Sequence, residues 1–185
     1  MMENDENFWV IPNFKPQFYK LNRLFLSAIE ENKDIFSKDN VVELGAGGGS
    51  FSYVISKYPK KLYSVDISED AIEALKINLD GIKNIEILKV DPDKLPFDNK
   101  SIDTIFTANS FHYLPEGYEK EISRVIKDGG HYVDIDFKKE NTDFGPPYSV
   151  RLSEEQAINR LKKEGFQLVN KIDLDSHYML IFIKK

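Results

Sequence analysis

The segment Val41–Ser52, VVELGAGGGSFS, constrains this chain more than any other. A short apolar run breaks into glycines at Gly45, Gly47, Gly48 and Gly49 and then resumes with helix-compatible residues. Such a strand, loop and helix junction lets backbone approach a ligand, because glycine has no side chain and tolerates positive φ, while the first N–H groups of a helix are free to donate. A tight turn in an ordinary α/β protein is the plainer alternative, but it would not need so many glycines. The expected site is therefore one for a nucleotide-type ligand.

The rest of the chain arranges itself around that junction. Apolar spacing at Phe18, Leu21, Phe25 and Ile29 predicts a helix over 16–32, preceded by an aromatic, proline-punctuated arm, FWVIPNFKPQF. Strands are expected at 41–44, 62–65, 86–90, 102–108 and 131–137, with helices at 48–56, 69–79 and 117–126 between them. Ser68 is the expected N-cap of the second of these helices and Gly81 its stop. Ser153 and Gln156 form a capping box for a helix over 154–164, and strands at 167–173 and 178–184 close as a hairpin through Asp175–Ser176. Alternating strands and helices imply an α/β, Rossmann-like seven-stranded sheet, mostly parallel with a C-terminal antiparallel hairpin and helices on both faces.

Within 185 residues this reads as a single domain: residues 1–38 as an N-terminal arm and helix able to cover a substrate, and 39–185 as the ligand-binding unit. With 41% hydrophobic and 30% charged residues and no long apolar run, no membrane span is expected. The polar, acidic start lacks the form of a secretory signal, so the expected location is cytoplasmic. A formal charge of -6 and a pI near 5.2 argue against nucleic acid as the main partner. The absence of cysteine removes disulfides, thiolate metal sites and thiol nucleophiles together, and the scattered histidines lack paired metal-ligand spacing, so no metal is expected.

In an open α/β sheet the ligand lies at the carboxyl ends of the strands. Those ends carry the loop 45–49, Asp66 and Asp91. Asp66 stands 21 residues beyond Gly45, at the distance expected of a carboxylate that accepts ribose hydroxyls. A dinucleotide fingerprint needs its last glycine at the sixth position, which is Ser50 here; glycine comes one residue earlier. Glu43 would sit unfavourably beside a diphosphate and favourably beside a cation. A ligand with a positive centre, an amino-acid end, a ribose and an adenine is S-adenosylmethionine.

The run Glu43-Leu44-Gly45-Ala46-Gly47-Gly48-Gly49 resembles the E/D-x-G-x-G-x-G motif of class I S-adenosylmethionine-dependent methyltransferases. The match continues through YSVDIS at Tyr63–Ser68, VDPDKLPFDNKSIDTIFTANSFHYL at Val90–Leu114 and VIKDGGHYVDIDF at Val125–Phe137. It covers 39–185 and is similar to the small methyltransferases of the domain 11 kind. The resemblance implies that Gly45, Ala46, Gly47 and Gly49 lie against the methionyl part of the cofactor, with Glu43 near its ammonium group. Asp66 would bind the ribose, Ile67 the adenine face, Asp91 the adenine amino group with Pro92 beside it, and Asn109 would sit near the sulfonium. Val90-Asp91-Pro92-Asp93 stands where the family often has Gly-Asp-Ala.

The implied reaction is in-line methyl transfer to a small or medium-sized acceptor, for which a base is optional. His112, just past the fourth strand, is the expected catalytic base if one is used, with His177 second; His131 reads as a strand residue. Trp9, Phe14, Tyr113, Tyr148 and His177 are the expected substrate-pocket residues. Two other functions fit the same sequence: a non-catalytic S-adenosylmethionine-binding partner or regulatory protein, and, less well, an NAD-dependent oxidoreductase.

Overall fold

The computed structural model describes residues 16–185. A seven-stranded sheet has the order β3-β2-β1-β4-β5-β7-β6. Its strands are β1 (Asn40–Leu44), β2 (Lys61–Asp66), β3 (Ile85–Lys89), β4 (Ile102–Ala108), β5 (Ile126–Phe137), β6 (Phe166–Leu174) and β7 (His177–Lys184). The first five run parallel, and β7 is antiparallel to both β5 and β6. The chain reverses its direction of travel across the sheet between β1 and β4, the place where open α/β sheets hold their ligands. The expected architecture is the observed one.

Burial follows from position in this order. Central β1 is buried on both faces: Val41 packs with Phe51, Ile55 and Phe106 on one side, and Val42 with Ile105 and Tyr132 on the other. Edge strand β6 is open to solvent at Gln167, Asn170, Lys171 and Asp173, on both sides of a register shift between Leu168 and Asn170. One face is covered by α1 (Arg23–Glu31), α2 (Lys33–Phe36) and α3 (Ser50–Ile55), the other by α5 (Glu119–Val125) and α6 (Glu154–Lys162). Helix α4 (Glu69–Asn78) packs Ile72 and Leu75 against Ala46 of the glycine loop. The capping box forms as expected: Gln156 N–H donates to Ser153 Oγ at 3.2 Å, and Ser153 N–H to Gln156 Oε1 at 2.9 Å.

Two expected boundaries are corrected. The first helix begins at Arg23 rather than near 16, because Asn22 Oδ1 accepts from Phe25 N–H at 3.1 Å and caps it there. Phe18, assigned to its apolar face by spacing, instead meets the Tyr53 ring edge-on at 5.7 Å. The fifth strand begins at Ile126 rather than near 131, and Asp128-Gly129-Gly130 lies in a bulge inside it. Ile102 pairs with Ile126 but Thr104 pairs with His131, so the extra residues loop out between them.

The segment after β5 is tied by one side chain. Buried Arg151 donates to the carbonyls of Lys138, Glu140, Phe144 and Pro146 and to Thr142 Oγ1, at 2.6–3.2 Å. Lysine has one ammonium and cannot span that fork. Arg151→Lys is expected to expose 139–147 to limited proteolysis while the thermal transition of the sheet moves little; an unchanged cleavage pattern would show that the loop holds itself.

Candidate active site

A cavity of about 650 Å³ opens at the carboxyl ends of β1, β2 and β4. The glycine loop forms its floor. Gly45, Gly47 and Gly49 have φ of 77°, 54° and 86°, where side chains are strained. A Cβ on Gly45 would stand 2.6 Å from the Cβ of Ser110, whose hydroxyl donates to Leu44 O at 2.8 Å. Glycine is thus required both by conformation and by the close approach of the loop after β4.

Two carboxylates set the electrostatics. Glu43, at the end of β1, is 2% exposed, and burial, reinforced by the charge of Asp66, pushes its carboxyl up to about 8 despite a hydrogen bond from Ser52. The Ser52 hydroxyl in turn lies 2.7 Å from that of Ser64. Asp66, at the end of β2, accepts from the Gly47 N–H and the Ser68 N–H, each at 2.9 Å. Burial raises its carboxyl too, against those backbone donors. Asp66 therefore braces the loop and keeps lone pairs for a ligand. Among the described lining residues there is no Lys, Arg or His, while Glu43, Asp66, Glu69 and Asp70 all contribute to the wall. That wall suits a cation and is hostile to a diphosphate.

The described wall includes Glu43, Gly45, Ala46, Gly47, Asp66 and Ile67, and on the far side Asn109 and Tyr113. It does not include several expected residues. Gly49 turns toward α4, where a Cβ would meet Leu75 and Leu79 at 3.0–3.2 Å, so its task is close helix packing. Asp91 is exposed in a narrow bridge with Lys94, and Val90 lines the cavity in its place. Pro92 faces a separate shallow groove beside Tyr118. Tyr148 is exposed, with the Lys139 ammonium 5.4 Å over its ring. His177 is buried between the rings of Phe25 and Phe137 at 5.0 and 4.0 Å, and burial lowers it to about 4. His112 is buried behind Tyr113, its ring centre 4.0 Å from that of Tyr113. Trp9 and Phe14 lie outside the described residues.

The family model described as a methyltransferase domain matches residues 42–134, half of the chain. This chain belongs to that family. The methyltransferase is 28% identical over 146 residues to YrhH of Bacillus subtilis (strain 168), which bears a methyltransferase name, across 74% of this chain and 79% of that protein. It is 29% identical over 114 residues to a fatty-acid O-methyltransferase of Mycolicibacterium smegmatis, covering 60% of this chain but only 39% of that one. The fold matches that of an S-adenosylmethionine-dependent methyltransferase from Aquifex aeolicus with a TM-score of 0.77 and 24% identity, over 90% of this chain and all of the other. The chain is an S-adenosylmethionine-dependent methyltransferase.

Two residues of the methyltransferase's cavity wall carried no signal of their own in the sequence. Gln17 and Tyr19 line the cavity from the N-terminal side. Tyr19 N–H donates to Ser50 Oγ at 2.8 Å, and a Cβ on Gly48 would stand 2.4 Å from Gln17 O. The chain therefore passes directly over the loop. Tyr19 is half-exposed, with its hydroxyl beside the Asn109 side chain, and partial desolvation raises its phenol. No helical or strand period marks Tyr19; only its neighbourhood of aromatics hinted at a cover. No described helix of the methyltransferase is long and apolar enough to cross a membrane.

Proposed function

We propose that the cavity binds S-adenosylmethionine with its ribose on Asp66, its adenine between Ile67 and Val90, and its amino-acid end at Glu43 and the 45–47 loop. The observation that carries this reading is a wall with carboxylates and no basic side chain among its described residues, around a loop too tight for any residue but glycine at position 45. The cofactor supplies a methyl group made electrophilic by its positive sulfur. Asp66 and the glycine loop orient it, and Glu43 complements its charge. Phe51, Ala108 and Leu114 give the remaining wall its apolar part, suited to excluding water beside a small or medium-sized organic acceptor. In-line displacement needs alignment above all, and holding two centres in place is worth ~7–11 kcal/mol in favourable cases. We place the work in the cytoplasm, on a cysteine-free chain whose acidity disfavours nucleic acid as acceptor.

The same reading makes Gln17–Tyr19, within an arm and helix spanning 1–38 on a single domain, a cover over the bound cofactor. Gly48→Ala tests this without straining the loop backbone, since Gly48 has no positive φ and the added methyl strikes the Gln17 carbonyl. Release of S-adenosylhomocysteine, followed by stopped-flow, should quicken by about tenfold, the loss of roughly one good contact set. A lower melting temperature with unchanged release would make this stretch a core cover and nothing more.

A further inference from the structure

Among the described residues, the buried side-chain polar atoms without a hydrogen-bond partner are Asn109 Oδ1, His112 Nε2, Asp134 Oδ2 and His177 Nε2. The sheet sorts them: Asn109 and His112 come together at the carboxyl end of β4, Asp134 lies deeper on β5, and His177 sits on the opposite face of the sheet against Phe25. Asn109 and His112 follow β4 directly, Ala108 pairs with Ile135, and Phe137 pairs with His177. Asp134 lies one pleat below Asp136 on the same face of β5. Buried polar atoms are nearly always paired, and one left alone is costly. Of these atoms, Asn109 Oδ1 belongs to a residue of the cavity wall and His112 Nε2 to one lying against the wall residue Tyr113.

The hydrogen-bond sense at this end of β4 can be read. Asp136 accepts from the backbone N–H of Phe137 at 2.8 Å and of His112 at 3.1 Å, and its two oxygens lie 2.7 and 2.8 Å from His112 Nδ1. A carboxylate that only accepts fixes the proton on Nδ1, so in the uncharged ring Nε2 carries a lone pair. Asn109 Oδ1 is likewise an acceptor. His177 carries no charge near neutrality, and Arg151, the cation nearest in effect, has its donors turned onto loop carbonyls. His112 Nε2 therefore asks for a donor. Tyr113, which lines the cavity and packs on His112, stands between the two.

We infer that this end of β4 is the acceptor subsite and that it takes a nucleophile presented as a neutral O–H or N–H, which His112 Nε2 deprotonates while Asp136 acts as a positioning residue. The inference rests on the methyl-transfer reading and narrows its substrate class. In the transfer, the acceptor heteroatom bonds to the methyl carbon as the carbon–sulfur bond breaks. The bonding pair stays on sulfur, leaving a neutral thioether, and the acceptor's proton passes to Nε2 and then to solvent. Acceptors that present a carboxylate are disfavoured, because they bring lone pairs to lone pairs.

The test uses the full chain, ¹⁵N-labelled and saturated with S-adenosylhomocysteine, and three probes on one ring system: 2-naphthol, 2-naphthylamine and 2-naphthoate. With His112, His131 and His177 the whole set of histidines, the ring resonances can be assigned by single substitutions. His112 should show the Nδ1–H form. The naphthol and naphthylamine should shift its Nε2 resonance and bind at least about tenfold more tightly than the naphthoate, as expected where a mismatched probe leaves buried polar atoms unpaired. Asp136→Asn, whose amide can donate to Nδ1, should move the proton to Nε2 and abolish the naphthol response. Tyr113→Ala should strengthen that response, which keeps the test decisive if Asp136→Asn folds poorly. An Nε2–H form in the unmutated chain, equal or tighter naphthoate binding, or no response of His112 to any probe would each overturn the inference. Calorimetry of S-adenosylhomocysteine alone reports separately on the cofactor reading.

Discussion

Asp66→Ala is expected to weaken S-adenosylhomocysteine binding by about 1.5–3 kcal/mol, roughly 10- to 150-fold, the usual range for hydrogen bonds to a charged acceptor. The side chain has two tasks: each of its oxygens already accepts from backbone, at Gly47 and at Ser68, and the remaining lone pairs face the cavity. Removing it should therefore loosen the loop as well as the ribose contact. Asp66→Asn separates these, since the amide oxygen can still hold one backbone N–H while the charge is gone. Isothermal calorimetry with both variants measures the effect, alongside melting of the ligand-free proteins. Wild-type affinity in Asp66→Ala would remove this carboxylate from the cofactor site.

Glu43 should make binding of the cationic cofactor depend on pH. In the free protein its carboxyl is held up to about 8, so near neutrality it carries a proton that a positive ligand must displace. Affinity for S-adenosylmethionine should rise by up to about tenfold per pH unit between pH ~6 and ~8, with as much as about one proton released per site. Titrations in buffers of different ionisation enthalpy count that proton, and Glu43→Gln should release none. Proton release equal to that of Glu43→Gln would sink the assignment. Stability runs the other way. A carboxyl raised from 4.5 to about 8 on folding contributes fully below pH 4.5 and loses that contribution as pH rises to about 8. The ligand-free protein should accordingly melt lower across that interval, and Glu43→Gln should flatten the trend.

The sheet was legible because its signals are local and redundant. The strand ends are marked by Asp66, by the 45–49 glycines and by Asn109, and the capping box at Ser153 acts within one turn of helix. What escaped was set by distant partners. Asn22 stops the first helix at Arg23, but nothing near it in sequence announces that Tyr19 N–H will find Ser50 Oγ. Gly49 looked like a ligand contact and serves α4, because the motif's spacing does not say which glycine faces which side. One available signal went unused: Asp134 and Asp136 alternate within an apolar strand, which places two carboxylates on one buried face beside the segment that carries His112.

The Arg151 fork has a consequence for how the loop after β5 can change. Four of its five partners in 138–146 are main-chain carbonyls, present whatever the side chains are. The path of that loop is thus written at a position outside it, and its own residues are left free to drift. A lineage could exchange the loop's chemistry repeatedly, and a designer could graft new sequences between Phe137 and Arg151, with the backbone course inherited unchanged.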